Sequence, residues 1–150
     1  MGIEEAIKQK KFKNEHHRLV INIFFTSSFL HAKHTKILKP HGLSSEQYNV
    51  LRILRGKHPE QSTVSNIQDR MLDKSSNASR LIDKLFKKDL VTREECKSDR
   101  RQMDVKITDK GLELLELLDA QVDGIHRDLE EIPEKEASMV NDILNRVHGS

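Results

Sequence analysis

The sequence is poor in residues that build covalent or aromatic scaffolds. Its 150 residues include one cysteine, three prolines, six glycines, one tyrosine and no tryptophan. A single thiol, Cys96, excludes an intrachain disulfide and favours a reducing, cytoplasmic compartment. No apolar run reaches the roughly 18 residues that span a membrane, and the N-terminus lacks the apolar core of a signal peptide. We therefore expect one integrated cytoplasmic domain with no membrane partner.

Charged residues are abundant, but their signs are unevenly distributed. They make up 33% of a chain whose net charge is +2. The segments 1–43, 44–108 and 109–150 carry net charges of +5, +4 and −7. A basic middle segment beside an acidic C-terminal segment is typical of a local surface for polyanions. Ordinary solvated helix faces are the alternative interpretation of these charges.

The first third of the sequence has helical periodicity. Residues 4–38 lack proline and glycine and carry helically spaced apolar side chains, which predicts one long helix that ends at Pro40 and Gly42. Ser44 and Gln47 form a capping-box pattern, which predicts the start of a second helix.

Two shorter helices are predicted next, over 63–71 and 75–88, and Asp73 or Ser75 is the expected cap of the later one. The apolar residues of the 75–88 helix recur at helical spacing and form one inward stripe: Ala78, Leu81, Ile82 and Leu85.

The pattern then changes from helical to alternating. Residues 90–94 and 103–107 are predicted to pair as two strands, and the second of them carries apolar side chains at every second position. After Thr108, a predicted cap, apolar residues recur at spacings of three and four up to Pro133, which predicts a coiled-coil seam of Leu115, Leu118, Val122, Ile125, Leu129 and Ile132. A last helix carries Met139 together with Val140, Ile143, Leu144 and Val147.

Three helices followed by a basic-tipped hairpin make up the winged helix-turn-helix plan. We therefore predict a mainly α fold with a small β-hairpin wing (α+β). Its expected parts are an N-terminal dimerisation helix in 1–43, a winged DNA-binding region in 44–108 and C-terminal dimerisation helices in 109–150. The homodimer is expected because four apolar residues have no evident partner in the winged-helix core: Val140, Ile143, Leu144 and Val147.

The predicted 75–88 helix has a polar face opposite its apolar stripe. Small side chains at its start allow close approach to a DNA major groove, Arg80 can pair with guanine, and Asn77 suits adenine. The face consists of Ser76, Asn77, Ser79, Arg80, Asp83, Lys84 and Lys87. A solvated helix face is the alternative interpretation.

The predicted hairpin tip between the strands is basic. It carries Lys97, Arg100 and Arg101, and guanidinium groups at a ribbon tip suit the negative potential of a DNA minor groove. We expect Asp99 to orient one of the arginines through a bidentate contact. The alternative is a flexible hairpin that only aids solubility.

The segment Asp99-Arg100-Arg101-Gln102-Met103-Asp104-Val105-Lys106-Ile107-Thr108-Asp109-Lys110-Gly111 resembles the wing signature of the MarR family of transcriptional regulators. Upstream, Ser79–Leu85 and Lys87–Val91 resemble the recognition helix of that family and its exit into the wing. One departure is Asp89, where the family usually has glycine. Because aspartate tolerates a left-handed conformation better than most residues, the fold is expected to survive this change.

The resemblance implies a homodimer that binds a pseudo-palindromic double-stranded DNA operator. By that resemblance Arg101 enters the minor groove, and the start of the recognition helix faces the major groove through Ser75, Ser76, Asn77, Ser79 and Arg80. It also implies a pocket for a small-molecule effector between the long first helix and its neighbours. The candidate wall residues are Phe24, Phe25, Phe29, His34, Leu51 and Leu115, for which plain core packing is the alternative.

Other chemistries find little support. The spaced pair His31 and His34 has no cysteine or His-Glu cluster beside it, so we expect no metal and no cofactor. Cys96 beside Lys97 is interpreted as an incidental thiol. Because no nucleophile triad or phosphate-binding glycine loop occurs, we expect no enzyme. The competing functions are a winged-helix module that binds a protein without binding DNA, and a helical scaffold built on the 115–132 seam.

Overall fold

The structure is a computed structural model that describes residues 2–149. It is mainly helical with a small antiparallel sheet, which confirms the predicted fold class. The chain forms two compact units, residues 1–45 and 46–150. Within the described residues, no helix is both long enough and apolar enough to cross a membrane.

The first unit contains a short helix and a long one. Helix α1 covers Ile3–Ala6, helix α2 covers Glu15–Leu38, and a 3-10 turn at Lys39–His41 follows α2. The predicted continuous helix over 4–38 is therefore wrong. The backbone leaves the helical region at Lys8, whose φ is 55°, and α2 begins where the Asn14 side chain accepts the backbone N–H of His17 at 2.9 Å.

The second unit is a winged helix with two further helices. In chain order its elements are α3 (Ser45–Arg55), β1 (Ser62–Thr63), α4 (Val64–Arg70), α5 (Ala78–Lys87), β2 (Val91–Glu95), β3 (Met103–Ile107), α6 (Asp109–Arg127) and α7 (Glu134–His148). The sheet order is β1-β3-β2, with Val91 opposite Ile107 and Arg93 opposite Val105. The sequence did not predict β1, where Ser62 pairs with Val105.

The core of the second unit comes from the apolar faces of its helices and of the sheet. The residues predicted to face inward on α5 are buried at Ala78, Ile82 and Leu85, and Leu81 is half-buried. They share this core with Leu51, Leu54, Ile67, Val105, Ile107 and Leu115, all of which are at most 3% exposed. The guanidinium of Arg55 on α3 also forms two hydrogen bonds to the Asp119 carboxylate on α6, at 2.9 and 3.0 Å.

The predicted coiled-coil seam is correct in only part of its length. Leu115, Leu118, Val122 and Ile125 lie on α6 and are buried within the chain. Helix α6 ends at Arg127, before Pro133, so the predicted proline break is wrong. Leu129 and Ile132 follow the helix in turns and stay nearly half exposed, and Pro133 instead precedes the first residue of α7.

Candidate nucleic-acid interface

Helix α5, the predicted recognition helix, begins later than expected. It starts at Ala78 and not at residue 75, and its cap is Asn77, whose side-chain oxygen accepts the backbone N–H of Arg80 at 3.1 Å. Gln68 of α4 accepts the N–H of Ala78 at 3.0 Å. Two side chains thus satisfy backbone donors that the first turn of a helix leaves unpaired. The start of α5 is therefore fixed from both α4 and its own cap.

The two proposed caps, Asp73 and Ser75, lie in the turn before α5. Asp73 Oδ1 accepts the Ser75 hydroxyl at 2.6 Å and the Ser75 backbone N–H at 2.9 Å. These two hydrogen bonds lower the pKa of Asp73, the one from the hydroxyl having the larger effect. Ser75 and Ser76 consequently belong to a structured turn that leads into the helix.

The hairpin tip is ordered by its own backbone. Asp99 Oδ1 accepts the backbone N–H of Arg101 at 3.0 Å, and its carbonyl accepts the N–H of Gln102 at 3.0 Å. We expected Asp99 to bind an arginine side chain, but among residues 2–149 no ion pair joins it to Arg100 or Arg101. Asp99 therefore orients the wing through the main chain, and both guanidinium groups remain available to a ligand.

Contacts at the base of the wing explain why the signature segment has threonine at 108 and glycine at 111. Asp89 has a φ of 59°, so it takes the left-handed conformation expected where the family usually has glycine. Thr108 donates its hydroxyl to the Asp89 carbonyl at 2.7 Å and accepts the Gly111 N–H at 3.1 Å. A Cβ on Gly111 would lie 2.5 Å from the Leu90 carbonyl oxygen. Only glycine lets α6 approach this corner so closely.

A groove of about 700 Å³ joins the start of the recognition helix to the wing. On the helix side it is lined by four predicted residues, Ser75, Ser76, Asn77 and Ser79. On the wing side it is lined by Arg101, together with Gln102 and Met103. The structure thus brings together five of the predicted DNA-contacting residues.

The other predicted contact residues lie outside this groove. All five are exposed: Arg80, Lys84, Lys87, Lys97 and Arg100. Sequence reasoning missed the α4 side of the groove, which is formed by Val64, Ser65, Gln68 and Asp69. Nothing in the local pattern of α4 distinguishes these residues from an ordinary solvated face.

Asp83 does not add negative charge to the open face of α5. Its carboxylate forms an ion pair with Arg93 of β2, and the Arg93 guanidinium carbon lies 4.4 Å from the centroid of the Phe86 ring. Arg93 thereby connects the recognition helix to the first wing strand through a charge contact and a cation–π contact. Single-residue periodicity cannot reveal such a pair, because its members are ten positions apart on different elements.

The remaining predicted sites fall outside the groove. Of the effector-pocket candidates, Leu51 and Leu115 are fully buried, whereas Phe24, Phe25 and Phe29 are exposed, Phe24 by 68%. Of the dimer candidates, Val140, Ile143 and Val147 are exposed, and Leu144 is half-buried. His34 is half-buried. Among residues 2–149 no three His, Cys, Asp or Glu side chains cluster as a metal site, and Cys96 is a half-buried free thiol.

The fold and this surface define a class: a winged helix-turn-helix protein whose recognition helix and wing share one groove, lined by serines of the helix side and by Arg101 of the wing. Comparison with known proteins narrows the class. The model of the MarR family matches residues 43–103. The regulator MhqR of Bacillus subtilis, named an HTH-type transcriptional regulator, is 30% identical over 113 residues, which cover 75% of this chain and 77% of MhqR.

Solved structures agree. A MarR transcription factor from Planctomyces limnophilus is 28% identical, with a TM-score of 0.68 over 93% of this chain and 100% of that one. A structure of reduced AbfR bound to DNA has the same fold at 22% identity, with a TM-score of 0.68 over 88% of this chain and 89% of AbfR. The chain therefore belongs to the MarR family and is a DNA-binding transcriptional regulator.

Proposed function

We propose that the chain binds a pseudo-palindromic DNA operator as a homodimer and regulates transcription from it. In this proposal, residues at the start of α5 enter the major groove and Arg101 enters the neighbouring minor groove. Lys84 and Lys87 on α5, with Lys97 and Arg100 on the wing, contact phosphates. The terminal segments 1–43 and 109–150 form the dimer.

The observation that carries the proposal is the shared groove of α5 and the wing. Serines at the mouth of α5 have short side chains, so a helix can approach base edges closely. Arg101 faces the same space from the wing, as contact with an adjacent minor groove requires.

The homodimer is supported by apolar surface that the chain leaves uncovered. Helix α7 exposes Met139, Val140, Ile143 and Val147, with Val147 60% exposed. Four apolar side chains on one helix form a stripe that water disfavours and that a second copy can cover. A two-fold axis would then place two recognition helices about 34 Å apart, or a multiple of it, which suits a pseudo-palindrome. The structure of AbfR bound to DNA supports DNA binding by a protein of this fold.

The test begins with selection of duplexes from a random DNA pool by the full-length protein. Arg101→Ala and Arg100→Ala are then titrated against the selected operator by fluorescence anisotropy. The two variants remove equal charge from adjacent exposed positions, but only Arg101 lines the groove. We expect Arg101→Ala to weaken binding by about 1–3 kcal/mol. Arg100→Ala should lower only the salt-dependent part of the binding free energy, which comes from phosphate contact.

Two results would contradict the proposal. Failure to select any DNA would favour a protein-binding winged helix, the alternative function. Equal losses of affinity for the two arginine variants would place the minor-groove contact elsewhere, even if DNA binding itself held.

A further inference from the structure

One side chain on the α4 side of the groove uses only half of its hydrogen-bonding capacity. The side-chain oxygen of Gln68 accepts the backbone N–H of Ala78, the first residue of α5, at 3.0 Å. An amide side chain also carries an NH₂ group, which can donate two hydrogen bonds. Within residues 2–149, no hydrogen bond joins this nitrogen to another group of the chain. Gln68 therefore combines a fixed acceptor with an unused donor.

The unused donor belongs to the surface that is proposed to meet DNA. Gln68 is half-buried and lines the same groove as Ser79 of α5 and Arg101 of the wing. Its nitrogen is not among the solvent-shielded side-chain atoms that lack a partner, so solvent reaches it. Because the hydrogen bond to Ala78 orients the whole planar amide, the nitrogen is held in one place. A donor that is ordered in advance loses little entropy when it binds a ligand.

The engaged oxygen limits which groups on DNA this side chain suits. A glutamine that reads adenine uses both amide atoms, one for N6 and one for N7. The oxygen of Gln68 faces the start of α5, which leaves the nitrogen to donate on its own. Phosphate oxygens are the most frequent acceptors that proteins bind on DNA, and side-chain amides are among their donors. The helix that precedes a recognition helix also crosses the DNA backbone, and Gln68 lies on that helix.

We propose that the side-chain nitrogen of Gln68 donates to a phosphate oxygen of the operator while its oxygen holds the start of α5. This inference rests on the proposed function, because the operator must lie along the groove. One planar amide then joins the recognition helix directly to the DNA backbone. Gln68 thereby sets how the start of α5 is placed against the duplex, and it reads no base itself.

The residue next to Gln68 carries a negative charge that a phosphate would meet. Asp69 is exposed and lines the same groove, and among residues 2–149 its carboxylate forms no ion pair. The ammonium group of Lys74 donates to the Asp69 carbonyl, so a cation lies beside this residue. That cation offsets part of the repulsion between the Asp69 carboxylate and a phosphate. The α4 side of the groove thus remains compatible with a phosphate at Gln68.

The experiment compares two variants that make the same chemical change. Gln68→Glu keeps an oxygen for the N–H of Ala78 and replaces the donor by a carboxylate oxygen, which repels phosphate. The control is Asn49→Asp. Asn49 of α3 is also a half-buried amide, and its oxygen accepts the backbone N–H of Leu72 at 2.9 Å, but it is not part of the groove wall. Thermal melts should show that both variants are folded.

Each protein is titrated by fluorescence anisotropy against the selected operator and against duplexes in which an uncharged methylphosphonate replaces one phosphate at a time. Gln68→Glu should bind the unmodified operator at least about tenfold more weakly than the parent, as expected when a hydrogen bond to a charged group is lost. Asn49→Asp should bind like the parent. Methylphosphonate at one position in each half-site should weaken the parent and the control, but it should not weaken Gln68→Glu, because that variant gains when the charge is removed.

Gln68→Met is a second variant, of similar length, that removes the acceptor together with the donor. Any loosening at the start of α5 affects the modified and unmodified duplexes alike, so it cancels when the two affinities are compared in a double-mutant cycle. The penalty for methylphosphonate at the same phosphate should therefore disappear in this variant too.

The outcomes separate this inference from the proposed function. If the parent selects no DNA, the proposed function fails. If the parent binds its operator but Gln68→Glu and Asn49→Asp behave alike, or if no single phosphate depends on residue 68, Gln68 only caps α5 and the inference is wrong. A changed preference at one base position, with every phosphate effect unaltered, would assign the nitrogen to a base edge and overturn the inference as well.

Discussion

The groove between α5 and the wing differs from the surface of α7 in the contacts that its side chains make within the chain. Around the groove, side chains are fixed by short polar contacts: Gln68 to the start of α5, Asp99 to the wing tip and Thr108 to the wing base. Helix α7 instead has no buried residue and exposes apolar side chains. The first surface is held by hydrogen bonds and carries serines and Arg101, whereas the second is apolar.

This difference shows how two partners can be assigned to one chain. A surface that hydrogen bonds preorder, with Arg101 in it and exposed lysines of α5 and the wing beside it, loses little entropy on binding and suits a polyanion. An apolar stripe gains most when another protein surface covers it, at about 25 cal/mol per Å² of apolar area removed from water.

The largest effect is expected on the apolar side. Ile143→Asp together with Val147→Asp places two charges on the exposed stripe of α7. Burying unpaired carboxylates in an interface costs far more than a pair of apolar contacts gains, so dimerisation should be abolished. Operator binding should disappear with it, because one subunit reaches only one half-site. Analytical ultracentrifugation and anisotropy measure the two effects.

Ser138→Asp together with Asn145→Asp is the matched control. These residues lie on the opposite side of α7 from the apolar stripe and add the same charge. The control variant should remain a dimer that binds the operator. A folded monomer of the Ile143/Val147 variant that still binds the full operator tightly would refute the assignment of α7 to the dimer.

A second prediction tests how closely the wing base is packed. In Gly111→Ala the new Cβ meets the Leu90 carbonyl oxygen and, at 2.7 Å, the Ile107 side chain. Overpacking against backbone cannot relax easily, so the free energy of unfolding should fall by about 2 kcal/mol. Urea denaturation at fixed protein concentration measures it.

Gly124→Ala in the same helix provides the control with the opposite sign. Its Cβ would meet nothing nearer than the Arg127 guanidinium at 3.7 Å. Replacing a glycine inside a helix by alanine should then stabilise the protein by about 0.5–1 kcal/mol. If both substitutions change stability in the same direction, close packing at Gly111 is not what requires glycine there.

Much of this fold could be predicted from sequence because its signals are local. The α5 stripe, the strand at 103–107 and the Thr108 cap were each predicted from spacing or residue type, and the structure confirms all three. The long first helix was predicted wrongly because the absence of proline and glycine does not guarantee continuity. The left-handed conformation of Lys8 ends the helical backbone, and the side-chain cap at Asn14 begins the next helix.

The candidate site was less predictable, because it depends on contacts between distant residues. Sequence periodicity placed Arg80 and Asp83 on one face, but only the structure shows that Asp83 is paired with Arg93. The helix wheel also began three residues too early, so Ser75 and Ser76 were assigned to a helix when they form a turn. The DNA roles of all these residues stay predictions.

A third prediction separates base reading from phosphate contact on the polar side. Arg80→Ala should weaken operator binding by about 1–3 kcal/mol and relax preference at one base position in each half-site. Lys87→Ala should weaken all sequences alike and flatten the salt slope by about one unit for each phosphate that it leaves without a cation. Anisotropy titrations over a panel of operator variants measure both. Identical behaviour of the two variants would show that the faces of α5 are assigned wrongly.

The smallest effect concerns the link between α5 and the wing. Arg93→Ala leaves the Asp83 carboxylate unpaired beside the DNA-facing side chains, where it repels phosphate. Because the side chains of this pair are 34% and 50% exposed, operator binding should weaken by about 0.5–1 kcal/mol.

A double-mutant cycle measures whether the effect passes through Asp83. Asp83→Asn alone should change affinity little. It removes the negative charge that would repel phosphate, so Arg93 has no carboxylate left to neutralise. In the Asp83→Asn background, Arg93→Ala should cost less than it does in the parent, because no carboxylate is left to expose. Phe86→Leu removes the ring and leaves both members of the ion pair, which separates the ion pair from the cation–π contact. If Arg93→Ala costs the same in both backgrounds, Arg93 acts on the wing independently of Asp83, and the proposed link between helix and wing is wrong.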